Sequence, residues 1–346
     1  MPPSHRIGFI STRFAGTDGV SLETAKWASA LTRMGYDCFY FCGVCDRSPE
    51  RCYIVPEAFY RHPTIDAINQ AVFTGMWGRG QKVLPDGSEI QDLRQDYFSV
   101  FVRPPAISRQ VQQLKEYFKQ HLYRFARQFQ LHGLIVENAI TIPVNLPLGL
   151  AIAEFIAETG YPTIAHHHDF HWERQRFMTN AVQDYLAAAF PPNLPSIRHV
   201  VINSVQSYQL AARIGAAAMV IPNVMDFETP PPLPDDYAGS ARADLHVTPY
   251  QFMILQPTRI IQRKGIEHAI ELTRRLGMPA ELVITHAAGD EATDYEKHVR
   301  IFADLLDVTV NFVADIVAPQ RGTTADGRKI YSLADVYRQA DLVTYP

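Results

Sequence analysis

Short apolar runs of strand length punctuate this chain, and between them apolar residues recur at three- and four-residue spacing. "RIGFIS" (6–11) reads as a buried strand and "TRFAGTDG" as a glycine-containing loop. "VSLETAKWASALTRMG" (20–35) reads as a helix, with Leu22, Ala25, Ala28 and Leu31 on one face and Gly35 as its stop. "DCFYFCG" (37–43) is the next strand. Strand, loop, helix and strand in residues 6–43 make a βαβ unit, which implies a parallel sheet.

Residues 46–105 are less regular and read as an insertion with helical pieces. The alternation then resumes. An amphipathic helix is expected at about 108–130, a strand at 133–138 ("GLIVEN"), and a helix near 147–159. Next come a strand at 162–168 ("PTIAHHH"), a helix near 175–188, and strands at 199–204 and 218–224. The proline-rich "ETPPPLPDDYAGS" (228–240) can build neither a helix nor a central strand and marks a boundary. Beyond it strands are expected at 250–259, 280–287, 308–315 and 341–346, with helices at 264–277, 294–306 and 332–340 between them. The expected fold class is α/β, with two Rossmann-like parallel-sheet domains, 1–227 and 246–346, joined by a linker at 228–245. The chain stops at "DLVTYP", a buried strand whose C-terminal end is where open parallel sheets place ligand loops, so the second domain is expected to be incomplete.

Composition narrows the function classes. Apolar residues make up 47% of the 346 and charged residues 20%, enough for two globular cores. A net charge of -4 and no Lys/Arg block argue against nucleic acid as a partner. No stretch resembles a signal peptide or is apolar enough to span a bilayer, so a cytoplasmic protein without a transmembrane segment is expected. Cys38, Cys42 and Cys45 fit C-x3-C-x2-C, a spacing that can hold an iron–sulfur cluster. The first two fall inside a strand, however, with Cys38, Tyr40 and Cys42 on one face, so buried free thiols are the expectation.

Four segments lie at expected strand C-termini, where such sheets bind ligands. "GTDG" before a helix offers backbone N–H groups to an anion, while Asp18 or Ser21 as a simple helix cap explains the same residues. In "TRIIQRKG", Arg259 and Lys264 suit a diphosphate, and a solvated basic turn accounts for them as well. Glu137 and Asn138 could bind hydroxyl groups or cap a turn. "HHHDFHWER" puts His166 and His168 on one strand face, and Asp169 and His171 could complete a metal-ligand set there.

Taken in order, "GTDGVSLETAKWASALTRMG", "HHHDFHWER", "VINS", "VIPNVMDF", "PTRIIQRKGIEHAIE" and "ADLVTYP" resemble the retaining, nucleotide-sugar-dependent glycosyltransferases of family 4, which have the GT-B fold. The similarity covers most of the chain outside 46–105. It implies that Arg259 and Lys264 grip the donor diphosphate and offset charge on the leaving group, a catalytic role. Gly16 and Gly19 would let the backbone approach those phosphates, and Val313 to Asp315 would meet the nucleotide base. His168, with Asp169 beside it, matches the family's active-site histidine. Asp18, Ser21, Glu137, Asn138, Arg174 and Asn223 are the candidates for acceptor contacts.

The resemblance further implies a front-face transfer that keeps the anomeric configuration, with a donor phosphate oxygen accepting the acceptor's proton. The co-substrate would be a GDP- or UDP-sugar. No metal held by the protein is required, although Mg accompanying the diphosphate is compatible. "GTDGVSLETAKW" and "HHHDFHWER" are similar to the branch that mannosylates glucosylglycerate, which implies a GDP-mannose-like donor and a carboxylate-bearing acceptor. The family's E-x7-E motif would follow the last strand. Its absence from this sequence implies poor donor binding by the chain as it stands. A non-catalytic sugar or nucleotide binder, and a metal-dependent enzyme built on His166–His171, are the competing readings; the oligomeric state is left open.

Overall fold

The computed structural model describes residues 5–16, 18–73, 102–224, 235–287, 293–318 and 320–345, with the backbone of 82–83 and 89–90. The chain divides into two compact units, Met1–Val224 and Met225–Pro346.

The first unit opens with β1 (Arg6–Ile10), β2 (Arg13–Phe14), α1 (Gly19–Arg33), β3 (Asp37–Cys42), β4 (Val44–Cys45), β5 (Cys52–Ile54) and α2 (Pro63–Val72). A short antiparallel pair, β6 (Lys82–Val83) and β7 (Glu89–Ile90), precedes α3 (Pro105–Phe129). Then come β8 (Gly133–Glu137), α4 (Leu146–Thr159), β9 (Thr163–His167), α5 (Gln175–Met178), α6 (Gln183–Ala189), β10 (Ile197–Val201), α7 (Ser204–Ile214) and β11 (Ala218–Val220). Seven strands form one parallel sheet in the order β11-β10-β9-β8-β1-β3-β5.

Strand periodicity splits the core between the two faces of this sheet. Ile10, Phe41 and Val136 meet α3 and α4 through Phe118, Phe125, Ile152 and Phe155. Their neighbours Phe9, Cys38, Tyr40 and Cys42 point the other way, toward Trp27 and Leu31 of α1. Along α3 the buried positions Ile107, Val111, Phe118, Leu122, Phe125 and Phe129 recur at helical spacing. Between β3 and β4 the backbone must be glycine: a Cβ on Gly43 would lie 2.0 Å from the Phe59 backbone nitrogen.

The second unit contains α8 (Ala241–Asp244), β12 (Phe252–Gln256), α9 (Ile266–Arg275), β13 (Ala280–Ile284), α10 (Thr293–Leu305), β14 (Val310–Phe312), β15 (Val317–Ala318), β16 (Gly322–Thr323), β17 (Lys329–Ser332), α11 (Leu333–Tyr337) and β18 (Leu342–Val343). Its main sheet is parallel, in the order β14-β13-β12-β18. Ile254, Leu282 and Ile284 pack under α9 and α10, while Met253, Leu255 and Val283 face Tyr331 and Val336. Helices thus cover both faces, the α/β arrangement expected from the sequence.

Several local readings differ. The helix expected at 175–188 is two pieces. The Asn180 side chain accepts from Val182 N at 3.0 Å and donates to Phe177 O at 3.0 Å, competing with the helical ladder. The strand read to 204 ends at Val201, and Asn203 instead caps α7, accepting from Gln206 N at 2.9 Å. Residues 225–234 of the boundary lie outside the described residues, as do 74–81, 84–88 and 91–101 of the insertion. The remainder of the expected linker, 235–245, is folded: Ala241 and Leu245 are fully buried in the second unit's core. A three-stranded sheet of β15, β17 and β16 was not read from the sequence, although its Asp326-Gly327 turn is a hairpin signal.

Candidate functional site

Glu137 ends β8 and is paired in register with His166 of the neighbouring parallel strand β9. Register partners on adjacent strands share a sheet face, and period two brings His168 to the same side. One carboxylate oxygen, Glu137 Oε2, consequently lies 3.0 Å from His166 Nδ1 and 3.0 Å from His168 Nε2. The His168 contact is a hydrogen bond. The His166 contact lacks hydrogen-bond alignment, and among the described residues neither His166 ring nitrogen nor Glu137 Oε1 has a hydrogen-bond partner. Glu137 and His166 are fully buried, and the His168 side chain is 10% exposed. Trp27 of α1 stacks on His166 with ring centroids 4.5 Å apart.

Burial pushes the Glu137 carboxyl upward, but the His166 and His168 imidazoles against it outweigh burial and hold the group below the usual glutamate range. This carboxylate is therefore anionic at neutral pH. Its ligand atoms and those of the two histidines lie within 4.8 Å of one another, a set able to hold a divalent cation.

His167 points to the opposite face. It meets Thr141 Oγ1 and, through Nε2, His199 Nδ1 at 2.9 Å. Burial drives His167 far below its ordinary value and His199 to about 4, so the two rings form a neutral pair inside the fold. His171 is held at about 4 by burial and by Arg213, and it stands apart from the Glu137 cluster.

The turn after β8 fixes the rim. Asn138 adopts φ 59°, the left-handed region that Asn tolerates. Its Oδ1 accepts from His168 N at 3.1 Å, and its Nδ2 donates to Asp169 Oδ1 at 2.9 Å. Asp169 is ion-paired with Arg174, and both remain about a quarter exposed. Gln206 of α7 donates to His168 O at 3.0 Å. Trp27 and Gln206 were not among the residues expected to act here, and His166 was expected only in the metal-ligand reading. Gln206 had a readable signal, the Asn203 cap three residues before it.

The loop after β1 is built on Asp18. It caps α1, accepts from Ser21 N at 3.2 Å and Ser21 Oγ at 2.6 Å, and pairs with Arg13 at 2.9 Å. Ser21 is fully buried, so these two acceptor candidates serve a cap. Gly16 has φ 78° and donates through its backbone to Asp46 Oδ2 at 2.9 Å; Gly19 opens α1 with free space where a Cβ would be. Thr17 lies outside the described residues. Glu137, also expected at the acceptor, is too deeply buried to touch one and instead holds the histidines. Asn138 spends both ends of its amide on His168 and Asp169. Asn223 is exposed in the segment after β11.

In the second unit Arg259 follows β12 and Lys264 ends a 3-10 turn before α9, where Gly265 at φ 52° turns the chain. Burial lowers the Lys264 ammonium, and the positive charges of Arg263 and Arg259 lower it further. His286, at the end of β13, is lowered by burial and by Arg259. Among the described residues neither Arg259 nor Lys264 makes an ion pair. An anion beside Arg259 and Lys264 would relieve the crowding that lowers the Lys264 ammonium. Val313 is buried in the core and offers only backbone, whereas Asp315 is exposed and pairs with Arg328 at 2.7 Å.

No protein-family model matches the chain. Over 362 aligned positions it is 28% identical to the mannosylglucosylglycerate synthase of Petrotoga mobilis, spanning 98% of this chain and 76% of that protein. The enzyme of the same name from Thermotoga maritima is also 28% identical, over 99% of this chain and 75% of the relative. Among solved structures, a sucrose-phosphate synthase from Thermosynechococcus elongatus matches with TM-score 0.55 at 13% identity, covering 99% of this chain and 75% of that one. A Rickettsia africae glycosyltransferase gives 0.53 at 12% identity, over 99% and 72%. An Anabaena protein in complex with UDP-glucose gives 0.53 at 14% identity, over 98% and 73%. The fold is GT-B, and over nearly its whole length the chain is similar to two proteins named mannosylglucosylglycerate synthase.

Proposed function

We propose that the chain is a retaining hexosyltransferase that moves mannose from a GDP-mannose-like donor to a hydroxyl of a small carboxylate-bearing glycoside such as glucosylglycerate. The mannosyl group and the glucosylglycerate acceptor follow the name of the two relatives that align over nearly the whole chain, and the GDP carrier follows from the sequence resemblance. The observation that carries the reading is the His168 imidazole fixed at a strand C-terminus by the buried Glu137 carboxylate.

With Nε2 bound to Glu137, the second ring nitrogen, Nδ1, is the one left to meet a sugar hydroxyl. Asp169 and Arg174 add a polar, part-exposed rim that suits a glycoside's hydroxyl and carboxylate groups. In the second unit, unpaired Arg259 and the part-buried Lys264 hold the diphosphate and neutralise charge as the sugar–phosphate bond breaks. Asp315 and the backbone of Val313 are the candidates for the nucleotide base. The donor's own phosphate oxygen takes the acceptor's proton, so no side-chain base is assigned.

Calorimetric titration with GDP-, UDP- and ADP-sugars, followed by assay with glucosylglycerate and NMR of the product's anomeric carbon, tests this. Binding of GDP-mannose and an α-linked product from an α-linked donor are expected. Tight binding of NAD with no response to any sugar nucleotide overturns the reading.

A further inference from the structure

Outside the histidine site, three of the four cysteines gather beside the loop that leads into α1. Strand β4 pairs with β2 at Phe14↔Cys45, β5 pairs with β3 at Tyr40↔Cys52, and the 3-10 turn Pro49–Arg51 folds the chain back between them. This brings Cys45 Sγ within 2.8 Å of Cys52 Sγ. Both residues are part-exposed, whereas Cys42, nearby on β3, is fully buried. The flanking residues tie this corner to the α1 loop: Asp46 accepts from Gly16 N at 2.9 Å, and Arg47 donates to Ser21 O at 2.9 Å.

We propose that Cys45 and Cys52 are a reversible dithiol–disulfide site. The sulfurs need to close by only about 0.8 Å to reach bonding distance. The chemistry is also divided between them. A hydrogen bond from Cys42, opposed by burial and reinforced by Cys52 and Arg47, pulls the Cys45 thiol down to about 6. Burial, then the hydrogen bond with Cys45 and the Cys45 charge, push Cys52 up to about 12. Cys45 is the thiolate nucleophile and Cys52 the resolving thiol, the arrangement that redox-responsive cysteines adopt.

The oxidant is a low-molecular-weight disulfide. The Cys45 thiolate attacks one of its sulfurs, forming a mixed disulfide and expelling one small thiolate, which takes up a proton. Cys52 then loses its proton and attacks Cys45 Sγ. The protein S–S bond forms, the mixed disulfide breaks, and the second small thiol leaves. The protein gives up two electrons and two protons, and the small disulfide is reduced to two thiols.

The test is exposure of the full chain to excess oxidised glutathione, with thiol counting and non-reducing peptide mapping. We expect two of the four thiols to disappear, one cross-link joining Cys45 to Cys52, and full recovery with dithiothreitol. In C52S the glutathione adduct should persist on Cys45, and in C45S Cys52 should stay reduced. Four unreacted thiols, or a cross-link through Cys38 or Cys42, overturns the proposal. The readout is covalent and does not depend on any sugar-transfer activity.

Discussion

Glu137 Oε2 and His168 Nε2 are 3.0 Å apart, and the carboxylate that makes this contact is fully buried. A buried charge persists only when partnered, so the imidazole and the carboxylate hold one another in place.

Removing that carboxylate has two separable consequences. Glu137→Ala leaves His166 and His168 without their buried partner and is expected to cost about 1–3 kcal/mol of stability. Glu137→Gln keeps the volume and a hydrogen-bond acceptor, so it should fold while lowering kcat more than it raises KM. Denaturant unfolding and steady-state kinetics measure the two effects; an alanine variant as stable as wild type contradicts the buried pair.

Arg259→Ala and Lys264→Ala each remove a cation that makes no ion pair among the described residues. The fold should survive, since Arg259 is exposed and Lys264 holds its neighbour Gln256 through its backbone carbonyl. Transfer should slow by about 10²–10³, equivalent to about 2.7–4 kcal/mol of transition-state stabilisation. A near-wild-type rate in both variants removes the diphosphate role.

Acid should destabilise the protein in a defined window. His199 is lowered to about 4 in the fold from near 6.5 when unfolded, and burial lowers its partner His167 well below its ordinary value too. Between those values the unfolded state binds more protons, so stability rises with pH there and is complete above about 6.5. Glu137, lowered in the fold, contributes stability that is lost at still lower pH. Melting temperature should therefore fall from about pH 7 to about pH 4.5, and His199→Asn should flatten the slope. A flat profile in the wild type contradicts a neutral buried pair.

The donor set of Glu137, His166 and His168 makes metal content a decisive measurement. The transferase reading expects purified protein with substoichiometric zinc and iron, and donor binding unchanged after chelation. One tightly held ion per chain, with donor binding lost on its removal, would replace the sugar-contact role of His168 with metal chemistry.

The fold was legible to the extent that a single element carries its own signal. The parallel order of the first unit follows from apolar strand runs separated by helices, and Cys38, Tyr40 and Cys42 share a face because a strand repeats every two residues. Elements set by local side-chain competition were misread. Asn180 breaks one helix and Asn203 starts another, although neither changes the apolar pattern. The residues 235–245 read as a linker because prolines precede them, yet Ala241 and Leu245 find a core to fill.

The site divides in the same way. Sequence by itself determined which chemistry-bearing residues stand at or just beyond strand C-termini, His168, Asp169, Glu137, Asn138 and Arg259, with Lys264 at the start of the next helix. Tertiary structure decided what each of them meets. The β8–β9 register, a property of strand pairing rather than of either strand, sends Glu137 inward to two histidines instead of outward to a ligand. Packing of α1 and α7 recruits Trp27 and Gln206, and the fold of β4 against β5 brings Cys45 to Cys52. Periodicity is written along one segment, whereas register, burial and charge partnering arise only when distant segments come together.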